Sequence, residues 1–210
     1  VNDLKRFLTN RQPGIQNEGE YFVSAVLLPL INRNNKCHVL FEVRASHLRR
    51  QPGEICFPGG GVEGDELSRP QNTAVREAVE ELGLDKTQID LLGPLDYLVA
   101  PHGTLVYPFV GHINNGAIIA PNKAEVEEIF MAPVEYFFNN PPAQSSVEVA
   151  TRYGRDFPYD RVPATYKKGW GRKWSLPVYY YEYEGHFIWG ITARILYNFI
   201  KVYYNIKKVR

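Results

Sequence analysis

Arg76-Glu77-Ala78-Val79-Glu80-Glu81 sets three carboxylates at relative positions zero, three and four. On a helix of about 3.6 residues per turn these positions share one face. Like charges so placed repel by roughly 0.2–0.5 kcal/mol per pair, and Gly83 just beyond marks the negative end of the helix dipole, which disfavours them further. A hard divalent cation such as Mg²⁺ would relieve both effects, because it takes carboxylate oxygens as ligands. A solvated acidic face with Arg76 as local partner is the plainer alternative. The segment upstream favours the metal: in Phe57-Pro58-Gly59-Gly60-Gly61 the missing Cβ atoms let backbone approach an ion, a phosphate or a facing helix. Arg44 and Arg49 precede these glycines and suit anionic oxygens, although spacing alone equally allows surface residues paired with acids such as Glu54.

Several elements must position these groups. A helix over about 73–82 is predicted by the stripe Ala74, Val75, Ala78, Val79 and Leu82, with Gly83 as its C′ residue. A short helix from Asn2 to Asn10, capped by Asn2 and striped by Leu4, Phe7 and Leu8, breaks at Pro13-Gly14. Paired strands are expected at Tyr21–Ile31 and Cys37–Val43 around the polar turn 32–36, with a Gly- and Arg-rich loop at 44–64. Further strands are expected at Ile89–Leu92, Leu95–Ala100, Thr104–Ile113, Glu127–Pro133 and Val178–Glu184. A last helix over about 192–206 carries Ile195, Phe199, Val202, Tyr203 and Ile206. From about 139 to 177, Pro, Arg, Lys, Gly and aromatic residues follow no period, and this stretch reads as a long structured loop or lid. Its cations and rings suit an anionic nucleotide, a homodimer contact or cover for the sheet. Strands interspersed with two or three helices predict one α/β domain over residues 1–210.

Composition narrows the partners. With 24 basic and 23 acidic side chains the net charge is +1, so no global field draws the chain to nucleic acid or a membrane. No apolar run reaches the roughly 20 residues of a membrane span, and Val1-Asn2-Asp3-Leu4-Lys5 does not read as a signal peptide. Cys37 and Cys56 lack metal-ligand spacing and read as reduced core thiols. A cytoplasmic protein is expected. His47, His102 and His186 share no spacing that suggests a triad or a zinc site.

Gly60, Glu66, Arg76-Glu77, Glu80-Glu81 and Gly83-Leu84 together resemble the Nudix box. Nine residues, where the pattern has seven, separate Glu66 from Arg76, and counting back from Arg76 puts Ser68 in the glutamate's place. Arg44-Ala45, Arg49, Gly53 and Phe57-Pro58-Gly59-Gly60 further resemble the signature of the coenzyme A pyrophosphatase branch, whose preceding Leu-Leu-Thr stands here as Leu40-Phe41-Glu42. Residues 181–196 are similar to that branch's terminal strand and helix. The resemblance implies an α/β/α sandwich with a mixed sheet. It implies a hydrolase, requiring Mg²⁺ or Mn²⁺, that splits the pyrophosphate of coenzyme A or its derivatives into 3′,5′-ADP and 4′-phosphopantetheine or its acyl form.

In this reading Glu77 and Glu81 hold the metal with the Gly59 carbonyl. Glu80 is a further ligand or else the base for the attacking water, Arg76 orients the carboxylates, and Arg44, Arg49 and Gly60 meet the substrate. Glu125, Glu127 or Glu128 could add a ligand, although an exposed acidic turn explains any one of them. The rivals are a Nudix enzyme for ADP-ribose, a dinucleotide or a nucleoside triphosphate, and a catalytically retired ligand-binding module.

Overall fold

The computed structural model describes residues 1–11 and 14–209, and the side chains of 1–11 and 14–205. Pro13, where the chain was expected to break, and the Ile206 side chain lie outside the described residues. The chain opens with α1 (Asn2–Thr9), whose start Val1 supplies no side-chain cap; Leu4, Phe7 and Leu8 are all exposed. Strand β1 (Phe22–Arg33) then turns back into β2 (Lys36–Arg44). Asn34 and Asn35 make this turn with φ of 51° and 59°, the left-handed conformation that a two-residue hairpin requires and asparagine tolerates.

Short strands β3 (Ile55–Cys56) and β4 (Gly59–Gly61) follow, and a 3-10 turn at Gly64–Ser68 leads into α2 (Pro70–Leu82). Strands β5 (Ile89–Pro94), β6 (Leu98–Ala100), β7 (Thr104–Ile113) and β8 (Val126–Pro133) precede the short helix α3 (Val134–Asn139). The chain closes through β9 (Ala143–Ala150), β10 (Lys173–Tyr183), β11 (His186–Trp189) and α4 (Gly190–Val209).

The larger sheet is mixed. Its strands run β3-β2-β1-β7-β5, with β4 beside β1, β6 beside β7 and β8 beside β2. β1 and β7 are parallel, from Phe22 opposite Thr104 to Ile31 opposite Ile113, whereas the other pairs are antiparallel. Side chains of β1 alternate between two cores. Val23, Ala25 and Leu27 meet Ala74 and Ala78 of α2, whose small side chains allow close approach. Leu28 and Leu30 face α3 and α4, among Phe41, Phe137, Leu196 and Phe199. Helices thus cover both faces, as the α/β/α expectation required.

Three expectations are corrected. Asn2, expected to cap α1, is instead its first helical residue, after Val1. Helix α2 starts at Pro70, where 73 was expected: proline fits the first turn, where its missing N–H has no helical partner in any case. The loop expected over 139–177 holds β9 and the first part of β10, which pair from Lys173 opposite Ala150 to Tyr180 opposite Ala143 and form a three-strand sheet with β11. Only 151–172 between them is irregular, apart from one 3-10 turn at Tyr159–Arg161. Its rings stack on one another, Tyr153 on Phe157 at 4.2 Å, and Arg152 lies over Trp170 at 5.0 Å.

Candidate active site

Helix α2 brings its glutamates against the glycine strand β4. A Cβ on Gly60 would collide with Glu77 Oε1, so the missing side chain makes room for that carboxylate. At Gly59 a Cβ would sit 2.5 Å from the Ala25 carbonyl oxygen, and its N–H donates to Glu81 Oε2 at 2.9 Å. The two glycines are therefore shaped to the helix carboxylates, one by space and one by a donor.

Arg76 gathers the remaining acids. Its guanidinium lies 2.8 Å from Glu77, 3.4 Å from Glu80 and 3.6 Å from Glu66. Glu66 also accepts from the Thr73 hydroxyl at 2.6 Å. Across the longer loop Glu66 thus still reaches Arg76 from a 3-10 turn, while Ser68 turns to the Asp65 carbonyl. Glu80 is exposed and Glu77 mostly covered. Burial pushes the Glu77 carboxyl above its ordinary value, against the opposing pull of Arg76.

Glu81 is buried, unlike the other two, and meets a second buried acid that the sequence does not single out, Glu42. Position 42 lies two residues after Leu40 on β2, and that alternation turns it toward α2. Its carboxyl is in hydrogen-bonding contact with Glu81, which requires a proton on one of them. Burial, followed by the neighbouring charge, pushes Glu42 up to about 9; burial likewise pushes Glu81 up to about 7, against the Gly59 N–H that lowers it. Arg44 and Glu125 also act on both carboxyls. Cys56, opposite Glu42 in the sheet, remains a thiol that burial makes harder to ionise.

Of the three downstream acids, Glu125 is the one whose charge reaches Glu42, Glu77 and Glu81. Glu127 accepts from the Ser46 N–H at 3.1 Å, and Glu128 lies 3.4 Å from His186, which stacks on Phe130. Arg44 is half-buried, its Nε donating to the Arg50 carbonyl at 3.3 Å, while its backbone pairs with Gly53 and Glu54. Arg49 is exposed.

Whether a divalent metal fits is a question of donors and charge. Glu77, Glu80, Glu81 and the Gly59 carbonyl offer the hard oxygens that Mg²⁺ and Mn²⁺ take. Glu42 Oε1 is buried with no hydrogen-bond partner, so the site holds an acceptor that a cation would satisfy. Among the described residues no three acidic, His or Cys side chains already converge on one point. The donors fit the ion in kind, and Arg76 holds Glu77 and Glu80 meanwhile.

A NUDIX domain model matches residues 21–152. The peroxisomal coenzyme A diphosphatase NUDT7 of Mus musculus is 39% identical over 136 residues, 63% of this chain and 55% of that protein. The peroxisomal coenzyme A diphosphatase ndx-8 of Caenorhabditis elegans is 32% identical over 79% of this chain and 71% of its own length. The uncharacterized Nudix hydrolase NudL of Pectobacterium atrosepticum is 31% identical over 94% of this chain and 92% of its own length. With its carboxylate helix seated on a glycine strand and a family match over most of its length, the chain belongs to the Nudix hydrolase family.

Proposed function

We propose that this Nudix hydrolase cleaves the pyrophosphate of coenzyme A or its thioesters, giving 3′,5′-ADP and 4′-phosphopantetheine or its acyl form. The observation that carries the reading is the unbroken signature Arg44 to Gly60, which runs from the end of β2 into the glycine strand against Glu77 and Glu81. The names of the mouse and nematode relatives agree with it.

Glu77 and Glu81 would hold Mg²⁺ or Mn²⁺ with the Gly59 carbonyl, and the ion would supply charge neutralisation at the phosphates and a more acidic water. The protein's own groups do the rest. Arg76 orients Glu77 and Glu80 by charge-assisted hydrogen bonds, and Glu66 with Thr73 orients Arg76. Exposed Glu80 accepts a proton from the attacking water at its carboxylate. Arg44 binds the pyrophosphate oxygens, and Arg49 reaches the 3′-phosphate. The irregular segment 151–172 would close over the adenine end. Reduced thiols at Cys37 and Cys56 suit the expected cytoplasm, and the names of the mouse and nematode relatives place those two proteins in peroxisomes.

The test compares coenzyme A, ADP-ribose and dinucleotides at equal concentration with Mn²⁺. Preferred turnover of coenzyme A supports the reading, preference for another substrate moves the activity elsewhere in the family, and no turnover of any points to a binding module. In the same assay Arg49→Ala should lose roughly 10-fold or more on coenzyme A, the scale of one charged hydrogen bond. It should lose little on dephospho-coenzyme A; equal losses would reject the 3′-phosphate role.

A further inference from the structure

We propose that Glu42 is a metal ligand, joining Glu81 to hold a divalent cation between strand β2 and helix α2. The inference rests on the metal-dependent reading above and adds a donor to it from outside the helix.

Three observations converge on this residue. Glu42 is almost wholly buried, at 1% exposure, and its Oε1 has no hydrogen-bond partner. An unpaired buried carboxyl costs several kcal/mol unless something compensates, so a strand that retains one needs a partner for it. Its other contact is Glu81, a second acid, which repels it wherever both are ionised.

The groups facing Glu42 are Glu81 from α2, Glu125 from the turn before β8, Arg44 from the end of β2 and Cys56 from β3. Arg44 is the one cation among them, and its Nε is given to the Arg50 carbonyl. A divalent ion with oxygen preference would supply the partner that Oε1 lacks and take the place of the proton between the two carboxyls. The rival account is a proton shared permanently between Glu42 and Glu81, with the first residue only positioning the second.

Calorimetric titration with Mn²⁺, checked by electron paramagnetic resonance of the free ion, separates the two. It is run on the full chain, on Glu42→Gln and on Glu42→Thr, with Glu81→Gln alongside. Glu42→Thr keeps the test available if Glu42→Gln does not fold. Loss of one equivalent of Mn²⁺ from both Glu42 variants is the expected result, whereas a Kd raised roughly 10-fold at full stoichiometry is what a residue behind the ligands produces and would favour the rival. A stoichiometry and Kd within about twofold of the unaltered chain overturn the inference while leaving the metal-dependent reading intact. If the unaltered chain binds no Mn²⁺, both fail; if Glu81→Gln alone loses binding, only Glu42's part fails.

Discussion

Replacing Glu77 or Glu81 by glutamine removes a charge from a face where carboxylates already crowd, so the fold should survive while the proposed metal site does not. Each variant should retain its melting temperature or gain slightly. Each should lose roughly 100-fold or more in kcat/KM, because a metal at the phosphates supplies several kcal/mol. Full activity in both variants would remove them from the site. The acids also set a pH dependence for the metal-free protein. Glu81 is pushed up to about 7 and Glu42 to about 9, from an ordinary 4.5, so above that value the folded chain keeps protons that the unfolded chain releases. Their contribution to stability is fully present below about 4.5 and is lost as pH rises through 7 and on to 9. Melting at pH 5, 7 and 9 in chelator should show a falling midpoint that saturating Mn²⁺ restores; no dependence on pH would contradict the burial of this pair. The helix carboxylates and their glycines were legible because spacing alone puts them on one face. Glu42 was not, since nothing in Leu40-Phe41-Glu42 says which strand face meets the helix.

The elements were legible where a local pattern makes them. Helix α2 ends where Gly83 predicts, with φ 63° and its N–H bonded to the Val79 carbonyl. A Cβ there would also run into the Ala120 carbonyl, so Gly83→Ala combines left-handed strain with a clash. It should cost at least about 1–3 kcal/mol in chemical denaturation; a neutral change would mean that Ala120 moves aside freely. Strand β7 was read end to end because its apolar run lies in a parallel pair covered on both faces. The β9–β10 ribbon escaped for the opposite reason. Its partners are far apart in sequence, β9 is exposed over most of its length, and Lys, Pro and aromatic residues along β10 hide the alternation. The 3-10 turn at Gly64–Ser68 was equally hidden, and with it the way the extended loop keeps Glu66 on Arg76.

At the scale of the molecule, α2 on one face of the mixed sheet and α3 with α4 on the other fix where β2, β4 and α2 meet, and the acidic cluster lies at that meeting. The family follows from this chain's match over 21–152, whereas the choice of substrate rests on the stretch from Arg44 to Gly60 that feeds the cluster. Among the described residues no helix is long and apolar enough to cross a membrane. Charge balance, which argued against nucleic acid, is compatible with a small anionic substrate met by local arginines. The most direct measurement is mass spectrometry of the products after incubation with coenzyme A and Mn²⁺, with and without chelator. The proposal predicts 3′,5′-ADP and 4′-phosphopantetheine in equal amounts, abolished by chelator; intact coenzyme A beside a readily hydrolysed alternative nucleotide would contradict it.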